Sequence, residues 1–197
     1  MSKLFVDEIV HQSSQGSGTI TIGASGETTN IVGTLQNDGA ALISGITMAD
    51  QWRLTADTNS NTNADVTTNW ERVDTDGYSG IGTGLTESSG IFSFPQTGIY
   101  LITYTPRFVV DTDSMAVMRL LTTVDNSTFT IATSAAVGNN TGDVIIMNTS
   151  SQFIFDVINI TNYKIKFDTN SMGVGTALQG DTSRNETNFT VIRLGDT

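Results

Sequence analysis

The sequence predicts an all-β protein, and three observations predict it. Apolar and polar residues alternate at period two, most clearly over residues 91–105, the spacing that puts one face of a strand against a core. The 197 residues include 32 Thr, 15 Asn and 19 Gly; Thr favours extended backbone, Asn and Gly favour turns, and the mixture opposes long helices. Short apolar patches also recur at regular spacing, separated by Gly-containing turns.

In chain order, residues 1–45 read as an N-terminal anchor and an intertwined β stem, and residues 46–197 as a head domain. Leu4, Phe5, Val6 and Ile9 are the expected anchor residues, in a short strand that Asp7 and Glu8 interrupt. Residues 11–18 form a polar linker. Ile20 and Ile22 then alternate with Thr19 and Thr21, and residues 30–35 and 41–43 add two more patches between turns at 23–26 and 37–40. Each patch is too small to bury itself in one chain. The stem is therefore expected to be covered between subunits, as stacked repeats cover one another.

The head should begin with a strand over 46–56, with Trp52 and Leu54 on one face, followed by a polar loop over 57–65 and a strand over 69–73. A long Gly-rich connection, 74–90, leads to the centre of the domain. There Phe92 and Phe94 alternate with Ser93. Pro95 presets φ for a turn, and Gly98 closes it without the steric cost a Cβ would bring. Beyond the turn Ile99, Leu101, Thr103 and Thr105 share one face, and Tyr100, Ile102, Tyr104 and Pro106 the other. Both faces are largely apolar or aromatic, so this strand should be covered by a second sheet on one side and by another subunit on the other. A turn at 111–114 leads into residues 115–124, which are rich in helix formers but flanked by β-branched residues, and read as a strand. Further strands follow over 128–132, 144–147, 152–155 and 163–167. A Gly-rich loop, 170–185, precedes a closing aromatic strand over 188–194.

The run Phe92-x-Phe94-Pro95-x-x-Gly98-x-Tyr100-x-Ile102, followed by a long apolar strand, resembles the core signature of the globular head of complement component one-q, a relative of tumour necrosis factor. The match is specific over Phe92 to Tyr104, is supported by the closing strand, and extends with gaps over about residues 46 to 197. Such heads are ten-stranded jelly rolls that assemble as trimers. The resemblance therefore implies a homotrimeric jelly roll, with the face made by Tyr100, Ile102 and Tyr104 expected at the trimer interface. The N-terminal region, through Leu4 to Asp7 and Thr19 to Gly26, more loosely resembles the ends of fibre-like structural proteins of tailed phages, especially those infecting marine bacteria.

The composition excludes several classes. Net charge is −11 with 15% charged residues, so no basic stripe is available to displace counterions from nucleic acid. The same charge disfavours anionic lipid, and no apolar run is long enough for a membrane-spanning helix. There is no Cys and a single His, His11, which leaves too little material for a zinc site or a Ser-His-Asp arrangement. Oxygen-bearing side chains alternate at Asp57, Asn59, Asn61, Asn63 and Asp65. The spacing is that of a calcium loop, but the expected Gly is missing and Thr68 stands where a bidentate Glu belongs. The reading is an Asx-rich turn with no metal, Asp57, Asn59, Asn61 and Asp65 being the candidate ligands to check. Asp74 with Asp76, and Asp111 with Asp113, are the acid pairs that a glycan-cleaving site would need. Trp70 and Tyr78 are candidate receptor-binding aromatics, since ring faces stack on sugars, while Trp52 is expected in the core.

These readings combine into an expectation: a non-enzymatic structural protein of a tailed-phage virion, without cofactor, forming a trimeric fibre or spike. The N-terminus would dock on other virion proteins of the tail or capsid. The jelly-roll knob would adhere to a host surface glycan or protein. A capsid head fibre or decoration protein is the alternative, and a glycan-cleaving tail enzyme the less favoured one.

Overall fold

The computed structural model describes residues 45–197 other than 76, 141 and 174, together with the backbone of two short paired strands, β1 (Gln36–Asn37) and β2 (Ala40–Ala41). The chain divides into two compact units, residues 1–44 and 45–197. The expected anchor residues Leu4, Phe5, Val6 and Ile9, the stem patches at 19–22 and 30–35, and His11 lie outside the described residues.

In the second unit every described element is a strand, and every pairing is antiparallel. One five-stranded sheet runs in the order β12 (Ser151–Val157), β7 (Gly98–Thr105), β15 (Asn188–Gly195), β3 (Ala49–Leu54), β4 (Trp70–Arg72). The other runs β10 (Thr130–Gly138), β9 (Met115–Thr123), β13 (Lys164–Asn170), β6 (Ile91–Ser93), β5 (Thr86–Ser88). These two sheets supply ten strands. A smaller sheet orders β11 (Ile145–Asn148), β8 (Arg107–Val110) and β14 (Ala177–Leu178).

The small sheet has a local cause. Pro106 separates β7 from β8 and has no N–H to give to the ladder. Ser151 pairs with Tyr104 before it and Asn148 with Arg107 after it, so the register is the same on both sides. Thr149 N–H donates to the Pro106 carbonyl at 3.3 Å across the gap. β7–β8 and β11–β12 are thus one long antiparallel ladder interrupted at a proline. Two strands also lie where the sequence reads as loop. β5 sits inside the connection 74–90, and β14 inside the loop 170–185; β5 turns back onto the adjacent β6 and β14 pairs with the distant β8, and each is too short to carry a period.

The core fills the space between the two large sheets. Tyr100, Ile102, Tyr104, Phe189 and Val191 from the first meet Phe92, Met118, Leu120, Ile165 and Phe167 from the second. Aromatic edges pack on aromatic faces there: Phe92 and Phe189 have ring centroids 4.7 Å apart at 78°, an arrangement that adds to simple area burial. Tyr104 keeps its hydroxyl satisfied by donating toward the carbonyls of Met118 (3.2 Å) and Thr133 (3.3 Å), beside the register shift in β10 between Ile131 and Thr133. Burial pushes its phenol pKa up to about 12. Gly98 has φ +149°, and a Cβ there would overlap the Arg193 guanidinium and stand 2.7 Å from the Gly195 carbonyl oxygen. The glycine of the central signature is thus required by the closing strand β15 packed over it.

Candidate functional site

The structure corrects the expected interface. Tyr100, Ile102 and Tyr104 are each 0% exposed within a single chain, and they face the sandwich core rather than a neighbour. The opposite face of β7 is the accessible one. Strand pairing places Ile154, Leu101 and Ile192 side by side across β12, β7 and β15. Residues directly opposite on antiparallel strands share a face, so this row points outward, with Ile154 60% exposed. The next row is polar: Gln152, Thr103, Thr190 and Gln51. Beyond Pro106, Ile146 pairs with Val109 and is exposed. The outer face of this sheet, with its continuation past Pro106 into the small sheet, therefore carries apolar bands separated by a polar belt.

Trp70 is also corrected. Its ring packs against Phe92, Phe167 and Phe189 at centroid distances of 5.4–5.5 Å, and its indole N–H donates to the Val66 carbonyl at 3.0 Å. It closes the edge of the core instead of offering a free stacking face. Trp52 is core as well, at right angles to Phe92.

Tyr78 is placed differently. It lines an open cleft of about 480 Å³ with Gln51, Val73, Thr75, Gly77, Arg184 and Asn185. Gln51, on the outward face of β3, forms part of the cleft between the segment after β4 and the loop before β15. The Tyr78 hydroxyl accepts from the Gln51 backbone N–H (2.9 Å) and donates to Asp50 Oδ1 (3.2 Å). Burial, followed by the Asp50 charge, raises its pKa.

Asp50 is itself buried, and its carboxylate gathers several further donors. Trp52 Nε1 lies 2.9 Å away, Leu85 N 2.7 Å, and Arg72 Nε 2.9 Å. Buried carboxylates persist only when satisfied in this way, and this one ties β3, β4 and the approach to β5 together. Arg53, 1% exposed, anchors the neighbouring segment through Glu71 (2.7 Å), Asp74 (2.9 Å) and Thr75 Oγ1 (2.8 Å). On the other side of the cleft Asn185 Nδ2 donates to Gln51 Oε1 (2.9 Å), and Arg184 is held by Asp181 (2.9 Å). Hydrogen bonds from Ser183, joined by Arg184, hold the Asp181 carboxyl well below the usual range. Sequence reasoning singled out Tyr78 but missed Asp50, Gln51 and Arg184. For Asp50 and Gln51 the signal is non-local, because Arg72, Leu85 and Asn185 lie far along the chain; Arg184 is held locally by Asp181, and only the fold brings it to the cleft.

The alternating oxygens of 57–65 do not converge. Asp57 accepts from Gly180 N (3.0 Å), Asn59 donates to Ala64 O (2.8 Å) and Thr169 Oγ1 (2.9 Å), Asn61 accepts from Gly175 N, and Asp65 pairs with Lys166 (2.7 Å). The candidate ligands instead fasten this loop to the segment 166–180. Of the acid pairs, Asp74 is bound to Arg53 and Asp113 accepts from Gly173 N (2.6 Å); Asp76 lies outside the described residues. Among the described residues no three His, Cys, Asp or Glu side chains group as a metal site.

No family model matches the chain, and no curated protein matches it. Among solved structures it is similar to Eiger TNF from S. frugiperda, with a TM-score of 0.61 at 12% identity, over 78% of this chain and 96% of that one. It is also similar to murine APRIL at pH 5.0, with a TM-score of 0.56 at 15% identity, over 75% of this chain and 98% of that one. The same protein at pH 8.5 gives a TM-score of 0.54 at 14% identity over the same shares. Likeness at such identity shows the fold: residues 45–197 form a TNF-like jelly roll.

Proposed function

We propose that this chain is a non-enzymatic virion structural protein, a homotrimeric fibre or spike whose jelly-roll knob adheres to a host surface. The observation that carries the trimer is the outward row Ile154–Leu101–Ile192 on a TNF-like sandwich. An exposed apolar row bordered by the polar row Gln152–Thr103–Thr190 is the pattern of an interface core beside its rim. A second and third copy of this chain are the occupants that the resemblance over Phe92 to Tyr104 implies. Three knobs per fibre would convert weak single-site contacts into avid attachment. The virion assignment rests on the resemblance of the N-terminal region to tailed-phage fibre proteins.

Two measurements test this reading. Sedimentation equilibrium of the full chain is expected to give three times the 21.0 kDa of one chain; a monomer at micromolar concentration would refute the trimer. Antibody labelling of intact particles, viewed by negative-stain electron microscopy, is expected to mark the tail. Label on the head would favour the capsid fibre or decoration reading, and unlabelled particles would end the virion assignment.

A further inference from the structure

We propose that the cleft between Tyr78 and Arg184 binds a neutral, hydroxyl-rich sugar unit. The proposal deepens the adhesion reading above by naming a site and a ligand class. The size of the cleft, its lining, the fixing of its groups in advance and its charge carry the proposal. The cleft, about 480 Å³, has the size of a small-molecule site. Its lining is unlike an apolar ligand pocket: among the described residues Val73 is its one aliphatic side chain, and Gln51, Thr75, Arg184 and Asn185 bring amide, hydroxyl and guanidinium groups. A pyranose needs that mixture, because its edge presents hydroxyls that both donate and accept, while one ring face is a patch of C–H groups suited to an aromatic wall.

The aromatic wall is fixed in advance. The Tyr78 hydroxyl is held by Asp50 and the Gln51 backbone, and the phenol end lies so close to Gly80 that a Cβ there would stand 3.1 Å from its oxygen. The amides are fixed as well. Asn185 Nδ2 donates to Gln51 Oε1, and Gln51 Nε2 donates to Thr190 Oγ1 at 2.8 Å. Preorganised groups lose little freedom when a ligand arrives.

The charge decides between neutral and acidic sugars. Among the described residues Arg184 is the cation of the cleft, and it is already paired with Asp181 (2.9 Å) and lies 3.6 Å from Glu186. The chain as a whole carries −11, so an anionic ligand gains little and is repelled at a distance. Cleft and apolar row are also compatible. Gln51 on β3 is three strands from Ile154 on β12, about 14 Å at the usual spacing.

The test is ligand-observed saturation-transfer NMR on the full chain. The probes are methyl α-glucoside, methyl α-mannoside, methyl β-galactoside and methyl β-glucuronide, each at millimolar concentration. At least one neutral glycoside is expected to receive saturation, and the glucuronide is expected to bind no more tightly than the neutral sugars. Tyr78→Ala should weaken the signal about fivefold or more, the loss expected of one aromatic contact. Tyr78→Phe, which keeps the ring, should retain most of it. Asn185→Ala, at an exposed position, should weaken binding with the fold unchanged by circular dichroism. Transfer to none of the neutral glycosides overturns the proposal, as does equal binding by wild type, Tyr78→Ala and Asn185→Ala. Tighter binding of the glucuronide overturns the ligand class. Failure here is separable from failure of the virion reading, which is decided by labelling particles.

Discussion

The two outer faces of the sandwich are finished in different ways. On the β10-β9-β13-β6-β5 sheet the chain covers much of its own outer face, with Ile131 on the edge strand β10, opposite Leu121, left 52% exposed. Lys166 pairs with Asp65 at 2.7 Å and stands 4.6 Å from the centre of the Phe129 ring, and Arg119 grips Asp168 through two guanidinium nitrogens. Leu121 pairs with Lys166 on this face and is only 8% exposed. On the β12-β7-β15-β3-β4 sheet the row Ile154–Leu101–Ile192 has no comparable cover, and Ile154 stands 60% exposed. The difference teaches where stability comes from within the chain and where it is left to a partner. Charged pairs at a solvated face contribute modestly, whereas an apolar row gains substantially only when another apolar surface removes it from water.

The sharpest way to break this comparison is a charge on the open face. Leu101→Asp is expected to abolish the trimer and leave a folded monomer, read by sedimentation equilibrium and far-UV circular dichroism. A variant still trimeric at micromolar concentration would show that the row is not the interface. Moving one residue along β7 changes the nature of the effect. Ile102 is 0% exposed, so Ile102→Ala should cost about 2–5 kcal/mol of folding stability, measured by urea denaturation. A cost well under 1 kcal/mol would mean that the two faces of β7 are not distinguished as described.

High pH probes the same inward face without mutation. Tyr104 has its folded pKa raised from 10.0 to about 12. The stability linked to its neutral phenol is therefore fully present below pH 10, the unfolded value, and is lost as pH rises towards 12. The loss amounts to at most about 3 kcal/mol. Chemical denaturation at pH 9 and pH 11 in wild type and Tyr104→Phe checks it; an identical pH dependence in the two would remove Tyr104 as the cause. The smallest effect belongs to the self-covered face. Lys166→Ala should cost about 0.5–1 kcal/mol from its ion pair and ring contact and leave the assembly state unchanged. Dissociation by Lys166→Ala would reverse the roles of the two faces.

How much of this was legible depends on the range over which each feature is set. The alternation over residues 91–105 and the Pro95–Gly98 turn are local, and both strands lie where the sequence puts them. The sign of the alternation was not legible. Both faces of β7 are largely apolar, so period two separates Tyr100, Ile102 and Tyr104 from Leu101 and Thr103 without saying which set turns inward. The aromatic rings fill the space between the sheets, and that is a question of volume across strands distant in sequence. Trp70 was ambiguous for the same reason, its ring partners being Phe92, Phe167 and Phe189.

The region around the cleft shows the same division. Tyr78 stands out in a Gly-rich segment as an aromatic with no alternation to join. Asp50 and Gln51 look like ordinary polar positions of a strand, and only the fold brings Arg72, Leu85 and Asn185 to them. The oxygen-rich loop 57–65 misled in the opposite direction. Its spacing is regular, but the side chains are claimed by backbone amides and hydroxyls of residues 169–180.

The sequence by itself determined the all-β class, the two strands on either side of the Pro95–Gly98 turn and the scarcity of raw material for metal or triad chemistry. Local backbone preference and side-chain inventory settle such matters. Tertiary structure decided which face of β7 is core, which face is left open, how Pro106 divides a long antiparallel ladder, and that Tyr78 borders a cleft. Each of these depends on contacts between residues far apart in the chain, and burial in a closed sandwich is a property of the whole fold rather than of any one strand.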